Sequence, residues 1–299
     1  MKVTILNDKF FSRLETLSLN LKSNLSGYFG GQHLVSTYGQ TVEFADFREY
    51  QLGDDIRRID WNLFSRFEKY FLKLFTDERQ MQVQIFLDCS ASMGRDDPQK
   101  ASYAIATAAA LGFLAVQNMD KVTFNFMRGD VAENPYGTIV GKHAFFRAIG
   151  GMDSLVFDND TDIENCVKNC PDTGTNNGLT VIISDFFTES NWKKAVDYLC
   201  YKKRQVMLVQ LATPDELDPA YDGRVHLIDS ESVDMSDTRN MRIRITRSMQ
   251  KAYEEALTDF KADMKTFCNK RNVDCISVCT DKPIEKVLFG ELLKAGIMA

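Results

Sequence analysis

Hydrophobic positions fall along this chain in two kinds of pattern. Residues 7–23 place Phe10, Leu14, Leu17 and Leu21 three to four apart, which predicts an amphipathic helix. From Gly27 to about Gln80 the apolar residues come in short, glycine-punctuated, aromatic-rich stretches such as Thr41-Val-Glu-Phe44 and Tyr70-Phe-Leu-Lys-Leu-Phe75, which read as short strands and turns. After Gln82, apolar runs of strand length alternate with helical periodicity. Strands are predicted at 83–88, 121–127, 179–185, 205–211 and 273–279, and helices at about 98–118, 142–150, 162–170, 190–203, 247–270 and 283–295. Val225–Ile228 and Met241–Ile245 predict a hairpin on one side of the sheet. This order predicts an α/β fold: a doubly wound, mainly parallel sheet with helices on both faces over 81–299, preceded over 1–80 by an N-terminal helix and a small β-rich appendage.

Composition narrows the function classes. The 299 residues are 44% hydrophobic, which is enough for one large core. Asp and Glu (42) outnumber Lys and Arg (36), and the net charge of -6 argues against a phosphate backbone as partner, so no nucleic acid is expected. Seven cysteines lie scattered with no CxxC pair, the pattern of reduced thiols in a cytoplasmic protein. Cys166 and Cys170, one helical turn apart, read as packing residues. Three histidines make a histidine-rich metal site improbable. The longest apolar run, Ala104 to Val116, is shorter than the roughly 20 residues a membrane span requires, and charges stand where a signal peptide would be apolar. A soluble, intracellular protein without a transmembrane segment is expected.

Most of the chemistry sits in Asp88-Cys-Ser-Ala-Ser-Met-Gly94, directly after the buried strand Val83-Gln-Ile-Phe-Leu87. Asp88, Ser90 and Ser92 should converge at that strand's carboxyl end. One carboxylate and two hydroxyls make an all-oxygen, weakly charged cradle that suits a hard divalent cation such as Mg2+ or Mn2+ and leaves a coordination position open. Open α/β sheets bind ligands beyond the carboxyl ends of their strands, so other strand ends should contribute. Asp185, after Leu179-Thr-Val-Ile-Ile-Ser184, supplies a second carboxylate, and Thr161 a third hydroxyl. Each residue also has a plainer reading. Asp and Ser are common in turns, Asp185 would serve to cap the next segment, and Thr161-x-x-Glu164 has the spacing of a capping box.

Asp88-x-Ser90-x-Ser92, Thr161 and Asp185, in that order, resemble the metal-ion-dependent adhesion site (MIDAS) of von Willebrand factor A domains. The resemblance implies Ser90, Ser92 and Thr161 as direct Mg2+ ligands and Asp88 and Asp185 as ligands acting through water. Phe44-x3-Arg48-x-Tyr50-x2-Gly53-Asp54-Asp55-x-Arg57-x-Ile59-Asp60-Trp61, with Arg66, Lys73 and Glu78, resembles the stretch preceding the A-like domain in domain-of-unknown-function family 58. Proteins of that family commonly occur beside MoxR-type AAA+ ATPases, so the resemblance implies such a partner. Within this stretch Asp54, Asp55, Arg57, Arg58 and Asp60 read as an ion-pair and hydrogen-bond network that fixes the appendage.

Three functions compete on these residues. A metal-dependent binding module accounts for every motif, since Mg2+ held mainly by neutral hydroxyls stays electrophilic and accepts a carboxylate from a protein partner. A phosphohydrolase of the haloacid dehalogenase type also places an Asp after its first strand, but needs a proton-transferring residue two positions on, where Ser90 stands. Nucleic-acid binding through Arg242 and Arg244 is opposed by the net charge. No GxxxxGK loop is present to support ATP hydrolysis. The expectation is a noncatalytic, Mg2+-dependent interaction or adaptor protein acting with a MoxR-type ATPase in the assembly or maturation of other proteins.

Overall fold

The computed structural model of the protein describes residues 6–21, 42–51, 54–77, 80–94, 97–171, 178–188, 190–219, 223–227, 241–284 and 290. Its centre is a six-stranded sheet in the order β10-β7-β6-β3-β4-β5, formed by β3 (Gln82–Asp88), β4 (Lys121–Arg128), β5 (Val131–Glu133), β6 (Gly178–Ser184), β7 (Gln205–Ala212) and β10 (Asp274–Cys279). All neighbours run parallel except β5, which turns back on β4. The expected α/β sheet is therefore present, with one short antiparallel edge strand that periodicity could not register in three residues.

Both faces of the sheet are covered, which is why its central strands read as continuous apolar runs. On one face Val83, Ile85 and Leu87 of β3 pack with α3 (Pro98–Gln117) and α4 (Gly141–Met152). On the other, Phe86 and Ile182 pack with α5 (Ile163–Asn169), α6 (Trp192–Tyr201) and α8 (Arg247–Arg271). Helix α3 starts where Asp97 accepts the amide hydrogens of Gln99 and Lys100 and Pro98 occupies the first turn. It is buried almost throughout, which explains an apolar run too short for a membrane. Among the described residues no helix is long and apolar enough to cross one.

Helix α1 (Asp8–Leu21) forms where expected but belongs elsewhere. Phe10, Phe11 and Leu14 are buried in the same core as α3 and α4, and the Phe11 ring stands 5.2 Å from that of Phe113. Glu15 adds a 2.9 Å ion pair to Lys142. The Phe10, Phe11 and Leu14 side chains of this helix therefore pack with the main domain.

The appendage holds an antiparallel pair, β1 (Val42–Glu49) with β2 (Phe71–Asp77), and also a helix α2 (Trp61–Phe67) that the reading as strands and turns did not anticipate. The predicted hairpin forms as β8 (Gly223–Leu227) and β9 (Met241–Ile245), a separate two-stranded sheet. A four-residue helix α7 (Pro214–Leu217) follows β7. Most of the predicted helix 283–295 lies outside the described residues.

β3 lies at the switch in strand order. From β3 the chain crosses by α3 to β4 on one side, and then returns to β6 on the other. The crevice beyond the carboxyl ends of β3 and β6 is where such sheets bind ligands.

Candidate metal centre

Asp88 ends β3 in that crevice and is 2% exposed. Both its oxygens are engaged: Oδ1 accepts the Ser90 amide hydrogen at 2.9 Å and Oδ2 accepts the Ser184 hydroxyl at 2.6 Å. Burial, reinforced by the nearby Asp185 charge, pushes its pKa up to about 6. The chain then enters a single 3-10 turn, Ala91–Met93, in which the Ser90 and Ser92 hydroxyl oxygens lie 3.1 Å apart. Adjacent ligands of an octahedral Mg2+, at 2.0–2.1 Å from the ion, are separated by about 3 Å. The two serines therefore stand at the spacing of neighbouring ligands.

Gly94 ends this turn against α3. A Cβ there would stand 2.5 Å from the Ala101 Cβ and 3.2 Å from the Ala101 Cα, so only glycine lets the loop lie this close to the helix.

Thr161 reaches the same edge through a different loop. The Ala91 amide donates to Asn159 O at 2.8 Å, and the Asp158 amide donates to Cys89 O at 2.9 Å, which laces the two loops together. Thr161 is 1% exposed, and among the described residues its hydroxyl makes only a long 3.5 Å contact to Met127 O on the strand beside Asp88. The capping-box reading of Thr161 is corrected: Asp162 is the N-cap of α5, accepting the Asn165 amide hydrogen at 3.1 Å. The threonine hydroxyl is not used for capping because the helix begins one residue later.

Asp185 follows β6 and is also 2% exposed. Its Oδ1 accepts the Phe187 amide hydrogen at 3.0 Å, while Ser184 Oγ accepts that of Phe186 at 2.9 Å. Phe186 between them is buried and has φ of 61°, a left-handed conformation that a bulky side chain rarely adopts. This turn aims Ser184 and Asp185 into the crevice together.

A residue that the sequence reading passed over completes the site. Lys100, in the first turn of α3, is 0% exposed, and its ammonium donates to Asp185 Oδ2 at 2.9 Å, Glu216 Oε1 at 2.7 Å and Ser92 O at 3.1 Å. All three ammonium hydrogens are thereby used. Burial alone would push its pKa down, but the Asp185 and Glu216 charges outweigh that and hold it above the ordinary lysine value. Glu216 is fixed in turn by a capping box: its Oε2 accepts the Thr213 amide hydrogen at 2.8 Å and its own amide donates to the Thr213 hydroxyl at 3.2 Å. Tyr253 of α8 donates its hydroxyl to Glu216 O at 2.7 Å.

All five expected residues, Asp88, Ser90, Ser92, Thr161 and Asp185, thus come from three loops to one sheet edge. Their oxygens form a hard, mainly neutral donor set. Among the described residues no three or more His, Cys, Asp or Glu side chains gather as a metal cluster.

The model of the family described as "Protein of unknown function DUF58" matches residues 46–262. The chain belongs to this family.

Uncharacterized proteins of Mycobacterium bovis and Mycobacterium tuberculosis are 28% identical to this DUF58 chain over 229 residues, covering 75% of it and 72% of each relative. Among solved structures, the conserved hypothetical protein BatB from Bacteroides thetaiotaomicron aligns with a TM-score of 0.43 and 16% identity, over 73% of this chain and 99% of BatB. A von Willebrand factor type A protein from Catenulispora acidiphila aligns with a TM-score of 0.34 and 10% identity, over 60% and 43%.

The second motif singled out in this DUF58 chain lies in the appendage, and much of what it does is capping. Asp55 accepts the Arg57 amide hydrogen at 3.0 Å at the start of a 3-10 turn, Ile56–Arg58. Asp60, 7% exposed, is the N-cap of α2 and accepts the amide hydrogens of Asn62 and Leu63. Asp54 pairs with Arg48 at 2.8 Å, a partner outside the acidic and basic run itself. Arg57 is exposed, and its guanidinium makes no ion pair among the described residues, while the Arg58 side chain lies outside them. Short helical turns need their amide hydrogens satisfied, and among the described residues Asp55 and Asp60 supply such acceptors. The cysteines stand as free thiols, and Cys166 and Cys170 are buried in the core beneath α5.

Two signals pointed to the residues missed. Lys100 is a lone cation entering an otherwise apolar helix, and Thr213-Pro-Asp-Glu216 carries the Ser/Thr-x-x-Glu spacing of a capping box.

Proposed function

We propose that this DUF58 protein is a noncatalytic, Mg2+-dependent protein-interaction module, an adaptor whose partner supplies a carboxylate to the bound ion. The observation that carries this reading is the meeting of the Ser90 and Ser92 hydroxyls, 3.1 Å apart, with the buried carboxylates of Asp88 and Asp185 at one sheet edge. Ser90, Ser92 and Thr161 would hold the ion directly. Asp88 and Asp185, whose oxygens already accept protein hydrogen bonds, would hold it through water. When bound, the ion supplies an electrophilic position for an acidic side chain, because its protein ligands are neutral.

The chain's own groups also favour binding over hydrolysis. Asp88 is clamped by the Ser90 amide and the Ser184 hydroxyl, and Ser90 cannot serve as the general acid that a nucleophilic aspartate requires. The family resemblance supports a MoxR-type AAA+ ATPase as partner, with assembly or maturation of other proteins as the shared task. A pull-down of the full chain from native lysate, with Mg2+ and with chelator, tests metal and partner together. A partner retained equally under both conditions would overturn the metal-dependent mechanism, and Mg2+-dependent turnover of an aryl phosphate that Asp88→Asn abolishes would establish the phosphohydrolase instead.

A further inference from the structure

Lys100 places a full positive charge beside the atoms proposed to hold a divalent cation, which is an unusual neighbour for such an ion. Its position is fixed rather than incidental. It is fully buried, all three of its hydrogens are donated, and two of its acceptors, Asp185 and the Ser92 carbonyl, belong to the candidate centre itself. The helix start that carries it is already the positive end of α3, and the opposite charges of Asp185 and Glu216 face the ammonium there. Two carboxylates, Asp185 and Glu216, face one ammonium, so the lysine cancels one of the negative charges beside the proposed ion.

We infer that Lys100 is a specificity-determining positioning residue: as a built-in monovalent cation it matches the centre to a divalent ion, and it ties Asp185 and Glu216 to the Ser92 loop. This rests on the metal reading above. By occupying Asp185 Oδ2, the lysine keeps that carboxylate in an outer, water-mediated role. By bridging to Glu216, it links the metal loop to α7, and through the Tyr253 hydroxyl to α8. The three elements present one preassembled edge to a partner.

Charge selectivity distinguishes this role from mere support, because a structural defect weakens all ions alike whereas an altered charge favours the more highly charged ion. Calorimetric titration of the full chain with Mg2+ and with Tb3+, at about pH 7, reads it. Lys100→Met leaves the centre one charge more negative and should raise the preference for Tb3+ over Mg2+ about tenfold. Glu216→Gln, at a partly exposed side chain that tolerates change, should lower that preference by a similar factor. Lys100→Met/Glu216→Gln restores the balance and should return the ratio to that of the wild type, as should Lys100→Arg, which keeps the charge. An unchanged ratio in Lys100→Met with native circular dichroism overturns the inference, and so does an unchanged ratio in Glu216→Gln should Lys100→Met fail to fold. Wild-type protein that takes up neither ion defeats the metal reading itself, a separate outcome.

Discussion

The Ser184 hydroxyl donates a 2.6 Å hydrogen bond to Asp88 Oδ2, joining the carboxyl ends of two parallel neighbours across the crevice. The bond holds one oxygen of a carboxylate that burial has made hard to ionise.

From that follows a pH dependence with a definite sign. The Asp88 pKa is raised to about 6 from 3.8, so the folded protein binds this proton more tightly than the unfolded chain. Without metal, its contribution is a stability fully present below about pH 4 and lost as pH rises through 6, amounting to about 3 kcal/mol for a group this buried. Asp88→Asn should remove that contribution, so wild-type and variant stabilities from urea titrations should diverge between pH 4 and 7. Parallel curves would show that Asp88 ionises normally.

Metal uptake should run the other way. Mg2+ requires the ionised carboxylate, so affinity measured by calorimetry should fall about tenfold for each pH unit below 6. At a hundred times its dissociation constant the ion should stabilise the protein by about 2.7 kcal/mol, a melting shift of several degrees. Ser90→Ala and Ser92→Ala should abolish the shift, and an equal response in these variants would remove the serines from the site.

Gly94→Ala tests the approach of the loop to α3. The added methyl meets the Ala101 side chain and backbone, so the loop must move at a cost of about 1–3 kcal/mol. Chemical denaturation should show that loss, and metal affinity should drop with it because Ser92 moves off Lys100. Loss of neither would mean that the loop adapts freely.

Arg204 offers the opposite control. It lies at the amino ends of the strands, 4% exposed, and donates to Gln82 O at 2.9 Å, Leu179 O at 3.0 Å and Thr180 Oγ1 at 2.6 Å. Arg204→Met strands three acceptors and should cost about 2–4 kcal/mol by urea titration. It should leave metal and partner affinities unchanged, because the site is at the far edge; altered affinities would show the two edges to be coupled.

In the appendage, Asp60→Ala removes a helix cap and should cost about 1–2 kcal/mol of stability, while exposed Arg57→Ala should change it by less than about 0.5 kcal/mol. Thermal melts of the pair decide between capping and the ion-pair network: equal losses would support the network.

The contrast between Ser90 and Lys100 shows what the sequence could reveal. Asp88, Ser90 and Ser92 are legible because one turn makes their site, and a buried strand before them says where that turn lies. Thr161 and Asp185 are legible only once the alternation of strands and helices has assigned a common edge. Lys100 is legible only as a lone cation entering an apolar helix, since its acceptors Asp185 and Glu216 stand 85 and 116 residues away and no local pattern pairs it with them. Helix α2 was missed for a related reason. Trp61 and Phe67 remain exposed, so no apolar stripe marks it, and the Asp60 cap was its one local signal.

The burial of Phe10, Phe11 and Leu14 against α3 has a topological consequence. Because α1 and β3 both belong to the main body, the described elements between them, β1, α2 and β2, are flanked on both sides in sequence by parts of that body. Trimming the chain at residue 80 would strip three side chains from the core.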